Sequence, residues 1–67
     1  MTERLMKIIL SDLGARRGDR FPEQAARFLF VRGPCRNADY ERALSTLIAE
    51  GWLRKTGPRE EWIEVLK

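Results

Sequence analysis

Chemistry in this chain falls to its basic side chains. Arg16, Arg17, Arg20, Arg27, Arg32 and Arg36 stand against only Asp19 and Glu23, and Arg54, Lys55 and Arg59 follow with no acid among residues 52–59. A guanidinium is planar, permanently charged and carries a fork of donors that matches pairs of oxygen atoms. Clusters of this kind fit contact with a polyanion. Other chemistries lack their parts. His is absent and Cys35 is the sole cysteine, so the four Cys or His ligands of a structural zinc site cannot be assembled. There is no Gly-rich phosphate loop, and no nucleophile stands at helical spacing from a base. Glu60 and Glu61 are neighbours in a turn and would point apart if extended, which makes a poor acid/base pair. Neither catalysis nor a cofactor or metal is expected.

The elements that hold these residues must come from a short chain. With 67 residues there is room for one domain, spanning 1–67. A domain of that size buries about 60% of its unfolded surface, so its core is thin and a sealed reaction pocket is hard to build. An apolar content of 43% beside 34% charged residues fits a folded globular chain and not a disordered tail. No apolar run approaches the roughly 20 residues of a membrane span. The N-terminal segment has Glu3 and no small-residue cleavage site, so a signal peptide is not expected and the cytoplasm is the expected location. Cys35 reads as a small loop residue.

Periodicity predicts three helices and a hairpin. Helix one is expected over residues 3–13, with Thr2 as N-cap, Gly14 as stop, Leu5, Met6, Ile9, Leu10 and Leu13 facing inward, and Ile8 widening that face. Residues 15–20 form a polar loop with room for a short extended piece. Helix two is expected to begin at Phe21-Pro22, with proline in the first helical position and Glu23 beside the dipole. Its inward residues are Ala25, Phe28 and Leu29, and Gly33-Pro34 ends it. Asn37 is the expected N-cap of helix three. Tyr40, Ala43, Leu44, Leu47 and Ile48 share its inner face, and Gly51 closes it. Trp52-Leu53 then opens a strand, residues 56–60 turn, and residues 62–66 return with Ile63 and Val65 toward the core. The fold class expected is α+β: three helices plus a C-terminal β-hairpin.

The run Arg42-Ala43-Leu44, Leu47 and Glu50-Gly51-Trp52-Leu53 carries a resemblance. It is similar to the winged helix-turn-helix superfamily, in which a recognition helix, an acid plus glycine and an apolar pair lead into a hairpin wing. Residues 21–28, followed by a long turn and the third helix, resemble small free-standing members. The hairpin segment 56–62 also looks like the proline-and-tryptophan wing of Z-DNA-binding domains. Those domains place Asn and Tyr one turn apart where this chain has Glu41 and Ser45, so their function is not carried over.

The resemblance implies a double-stranded DNA partner and a role in transcriptional regulation, with helix 39–50 in the major groove and the wing, 53–66, on the phosphate backbone. It makes Arg36, Asn37, Arg42, Ser45 and Thr46 the base-reading candidates. Arg42 leads them, because its fork matches guanine O6 and N7; Asn37 suits adenine but suits an N-cap role better. Arg54, Lys55 and Arg59 become phosphate contacts, with Arg16, Arg17 and Arg20 extending the track. A single module offers few contacts, so useful affinity calls for a homodimer, with apolar surface from helix one. One feature opposes DNA: helix three carries Asp39, Glu41 and Glu50 against Arg42 alone. The competing expectation is a protein-interaction module without DNA binding, docking on an enzyme or regulatory complex through helix three and the hairpin with Trp52 and Trp62.

Overall fold

A computed structural model describes residues 1–33 and 35–67. Among these, three helices pack on a three-stranded antiparallel sheet, and part of that sheet precedes the second and third helices. No helix of the described residues is long and apolar enough to cross a membrane.

Helix α1, Thr2–Lys7, runs without a break into a π-helical segment, Ile8–Asp12. Leu13 N–H reaches back five residues to Ile8 O at 2.9 Å, and Ala15 N–H reaches Ile9 O at 3.0 Å. The wider turn alters which side chains face the core. Ile8 and Ile9 are both buried, whereas Leu10, expected inside on a regular α-helical period, is 47% exposed. Thr2 is the first helical residue, with Met1 in the cap position that the sequence assigned to Thr2.

The expected extended piece in the first loop is strand β1, Arg20–Pro22. Helix α2, Glu23–Val31, therefore starts later than Phe21-Pro22 predicted, with Pro22 as its extended N-cap. Proline is tolerated there because β1 is an edge strand and the missing N–H costs no ladder bond. The inner face also differs from expectation. Ala26 and Phe30 are buried with Glu23, while Phe28 is 66% exposed and Ala25 and Leu29 are half-buried. Apolar residues at 25, 26, 28, 29, 30 and 31 offer two overlapping stripes, and periodicity alone cannot choose between them. Tertiary packing decides: the Phe30 ring meets the Tyr40 ring edge-on, centroids 5.7 Å apart. Pro34, expected to help end α2, lies outside the described residues.

Helix α3, Asn37–Ala49, has Arg36 rather than Asn37 at its N-cap. Asp39 accepts the Arg36 backbone N–H at 3.0 Å, the acid-side half of a capping box. Tyr40, Ala43, Leu44 and Leu47 are buried as the spacing predicted. At the other end Gly51 N–H donates to Ile48 O (3.0 Å) and Trp52 N–H to Leu47 O (2.9 Å). That pair of bonds is a Schellman closure, and it requires the left-handed φ of +80° found at Gly51.

Strands β2, Leu53–Thr56, and β3, Trp62–Val65, form the hairpin, and β3 lies between β1 and β2. Register pairs Leu53 with Val65 and Phe21 with Ile63. These four face the helices and join Leu5, Ile9, Phe30, Tyr40 and Leu44 in one core. Each such side chain contributes about 1.5–3 kcal/mol on full burial, which a chain this short needs.

Candidate nucleic-acid interface

The outer face of α3 presents Arg42, Ser45 and Thr46, all exposed, with Arg36 and Asn37 exposed at its N-terminal end. The five base-reading candidates thus lie on one element. Their side chains are not equally available. Thr46 donates its hydroxyl to Arg42 O at 3.0 Å, so its hydrogen is turned back onto its own helix. Asn37 Oδ1 accepts from Arg27 Nη1 at 3.4 Å. Among the described residues, Arg36 and Arg42 make no ion pair.

Arg27, one of the basic cluster but not among the expected DNA contacts, ties the charges of this face to α2. Its guanidinium lies over the Tyr40 ring, 4.6 Å from the centroid, and bridges Glu23 on α2 and Glu41 on α3. Burial works against its charge, but the hydrogen bonds and charges of the two carboxylates outweigh that and raise its pKa above the ordinary guanidinium value. Tyr40 sits beneath it. Burial pushes the phenol pKa well up, with the Glu23 charge adding to the effect. The phenol O–H donates to Glu23 O at 3.4 Å. The spacing of Glu23 and Arg27 at i,i+4 was a readable signal for one half of this bridge. The link to Glu41 spans two helices and had no local signal.

Two of the three acids that opposed DNA contact are therefore occupied. Asp39 caps the helix through the Arg36 N–H, and Glu41 is paired with a cation from the neighbouring helix. Both carboxylates are thus drawn into contacts within the protein, while the single guanidinium shared by Glu23 and Glu41 leaves that trio with one negative charge in excess.

The hairpin moves in the opposite direction. Arg54 donates through Nε to Glu64 Oε1 at 2.8 Å, and its Nη2 stands 2.7 Å from the same oxygen. Arg20 on β1 holds the register position across from Glu64 on the other side. The outward face of the sheet thus carries a cross-strand row, Arg20, Glu64, Arg54, in which one carboxylate sits between two cations. Lys55 and Arg59 are exposed and without an ion pair among the described residues. Across the whole hairpin Arg54, Lys55 and Arg59 are matched by Glu60, Glu61 and Glu64. Glu61 also accepts the Arg59 backbone N–H at 2.8 Å and shapes the turn. In the first loop, Arg16 and Arg17 are exposed, and Asp19 accepts the Arg16 backbone N–H at 2.8 Å.

The three groups of sequence candidates consequently lie on three supports: α3, the hairpin, and the loop that leads into β1. The sheet register joins the last two through Glu64. Comparison with protein-family models, curated proteins and solved structures gives no match.

Proposed function

We propose that this chain is a small winged-helix DNA-binding protein, a transcriptional regulator in which α3 enters the major groove and the β2–β3 hairpin lies along the phosphate backbone. The order helix, strand, helix, helix, strand, strand, with the third strand between the first and second, supports the winged-helix reading. The observation that carries the functional step is the Arg27–Glu41 pair. It engages the acid that most opposes a phosphate-lined groove in a contact within the protein and leaves the adjacent Arg42 exposed to read bases. Arg42 supplies specificity, while Lys55 and Arg59 grip phosphates and Arg16, Arg17 and Arg20 widen the track.

Fluorescence anisotropy with labelled, randomised duplex at two salt concentrations tests the reading. Binding that weakens steeply with salt reports counterion release from phosphate contacts. Loss of binding on combined replacement of Lys55 and Arg59 by Ala is the expected result; undiminished binding removes the wing from the interface.

A second reading, docking on a protein partner without DNA, is favoured by the balanced charge of the hairpin and by Trp62, 40% exposed on its outward face. Aromatic and Arg side chains together supply the hot centre of many interfaces. Absence of DNA binding even at low salt, followed by capture of a partner that Trp62→Ala abolishes, is the outcome that selects it.

A further inference from the structure

A groove of about 380 Å³ opens between α1, the π-helical segment and the C-terminal end of α2, and it includes none of the residues assigned above to DNA. Arg4, Lys7 and Arg32 supply three cations to its lining, and Asp12 is the one acid there. Ile8 and Leu29 give it an apolar floor.

The site is built and not merely charged. Arg4 donates from Nη2 to Phe30 O at 3.4 Å and lies over the Phe30 ring, 5.6 Å from its centroid. One cation is thus drawn against the end of α2. Gly33 leaves the space for it: a Cβ there would stand 2.8 Å from Arg4 Nη2. The π-helical turn supplies both Ile8 on the floor and Asp12 in the lining. Inserted π turns recur at functional sites because they re-aim side chains from a regular helix.

We infer that this groove binds a small phosphate monoester bearing hydroxyl groups, of the sugar-phosphate class. Three cations suit a dianionic phosphoryl group through charge-assisted hydrogen bonds. Asp12 accepts from a ligand hydroxyl, a role that a simple anion does not satisfy and that a continuous polyanion opposes by repulsion. The apolar floor meets the carbon skeleton. The volume lies within the roughly 300–1,000 Å³ range of small-ligand sites.

The test is a titration of the ¹⁵N-labelled full chain with inorganic phosphate and with ribose 5-phosphate, followed by amide NMR at physiological salt. Saturable shifts at Arg4, Lys7, Ile8, Asp12, Arg32 and Gly33 are expected, with ribose 5-phosphate the tighter ligand. Lys7→Glu and Arg32→Glu change exposed side chains and are expected to weaken both probes by about tenfold or more. Asp12→Asn is expected to tighten inorganic phosphate and to erase most of the preference for ribose 5-phosphate. Absence of saturation, shifts confined to the hairpin and first loop, or indifference to the two charge reversals would each overturn the assignment. Duplex DNA that moves the same groove amides and displaces ribose 5-phosphate would overturn it as well, by making the groove part of a nucleic-acid track.

Discussion

Arg27 rests on the face of Tyr40, its guanidinium carbon 4.6 Å from the ring centroid, and from that position clamps Glu23 and Glu41 together. Phe30 meets the same Tyr40 ring edge-on, and Arg4 in turn lies over Phe30. The result is a column of two rings flanked by two cations that links α1, α2 and α3.

Replacing Arg27 by Ala is expected to destabilise the fold by about 2–3 kcal/mol. The cost comes mainly from Glu23, whose side chain is only 12% exposed and would be left without its partner. Glu41, with a half-exposed side chain, contributes less, so Glu41→Gln alone is expected to cost under about 1 kcal/mol. Urea unfolding of both variants checks the ranking. Equal effects would mean that Glu23 is solvated well enough to stand alone.

Tyr40 is the chain's single tyrosine, which makes its ionisation directly readable in the ultraviolet. Its folded pKa is raised, so the folded state keeps the phenol protonated where the unfolded state, near 10, begins to lose its proton. Stability from this group is therefore full below pH 10 and declines as the pH rises through the folded value. Phenolate absorbance near pH 10–11 is expected in urea and not in the native protein. A native titration that overlays the urea curve would show that the ring is not buried as described.

Helix α3 was legible because its apolar residues form a single stripe and Gly51 marks its end; Tyr40, Ala43, Leu44 and Leu47 are buried together. The hairpin was legible for the same reason, Ile63 and Val65 alternating with exposed or half-exposed neighbours. The inner face of α2 was not. Phe28 and Phe30 both fit a helical stripe, and only the ring of Tyr40, ten residues beyond Phe30, distinguishes them. Leu10 is the second case, since a π turn leaves no mark in the spacing of Leu5, Ile9 and Leu13. At the candidate site, side-chain exposure followed from sequence while charge pairing did not. Arg54 with Glu64 and Arg27 with Glu41 depend on strand register and helix crossing, which local pattern does not encode.

Gly57→Ala is expected to cost about 1–3 kcal/mol and to distort the hairpin tip. Its φ is +96°, and an added Cβ would stand 3.0 Å from both Glu61 Oε1 and Trp62 Cδ1. Gly51→Ala meets nothing nearer than 3.8 Å and bears only the backbone strain of its φ of +80°, so it should be the milder change. Thermal unfolding of the two variants orders them. If Gly57→Ala also weakens DNA binding without removing a charge, the shape of the tip matters to the contact.

Glu64 is the point at which the winged-helix DNA reading makes its least expected demand. Its carboxylate holds Arg54, withdrawing that cation from any phosphate that approaches the outward sheet face, and stands in register with Arg20. Glu64→Gln removes a charge from a side chain 18% exposed and leaves the strand and its packing intact. Arg54 is then free to contact phosphate. Tighter binding to duplex DNA is expected, with the log–log salt slope growing by about one for the released contact. Arg54→Ala in the native background should by contrast weaken binding less than Lys55→Ala or Arg59→Ala, since Arg54 is already engaged. Anisotropy across a salt series reads both quantities. If Glu64→Gln leaves affinity and slope unchanged while Lys55→Ala reduces them, DNA touches the hairpin tip and not the sheet face. If none of the four variants alters binding, the wing has no part in it.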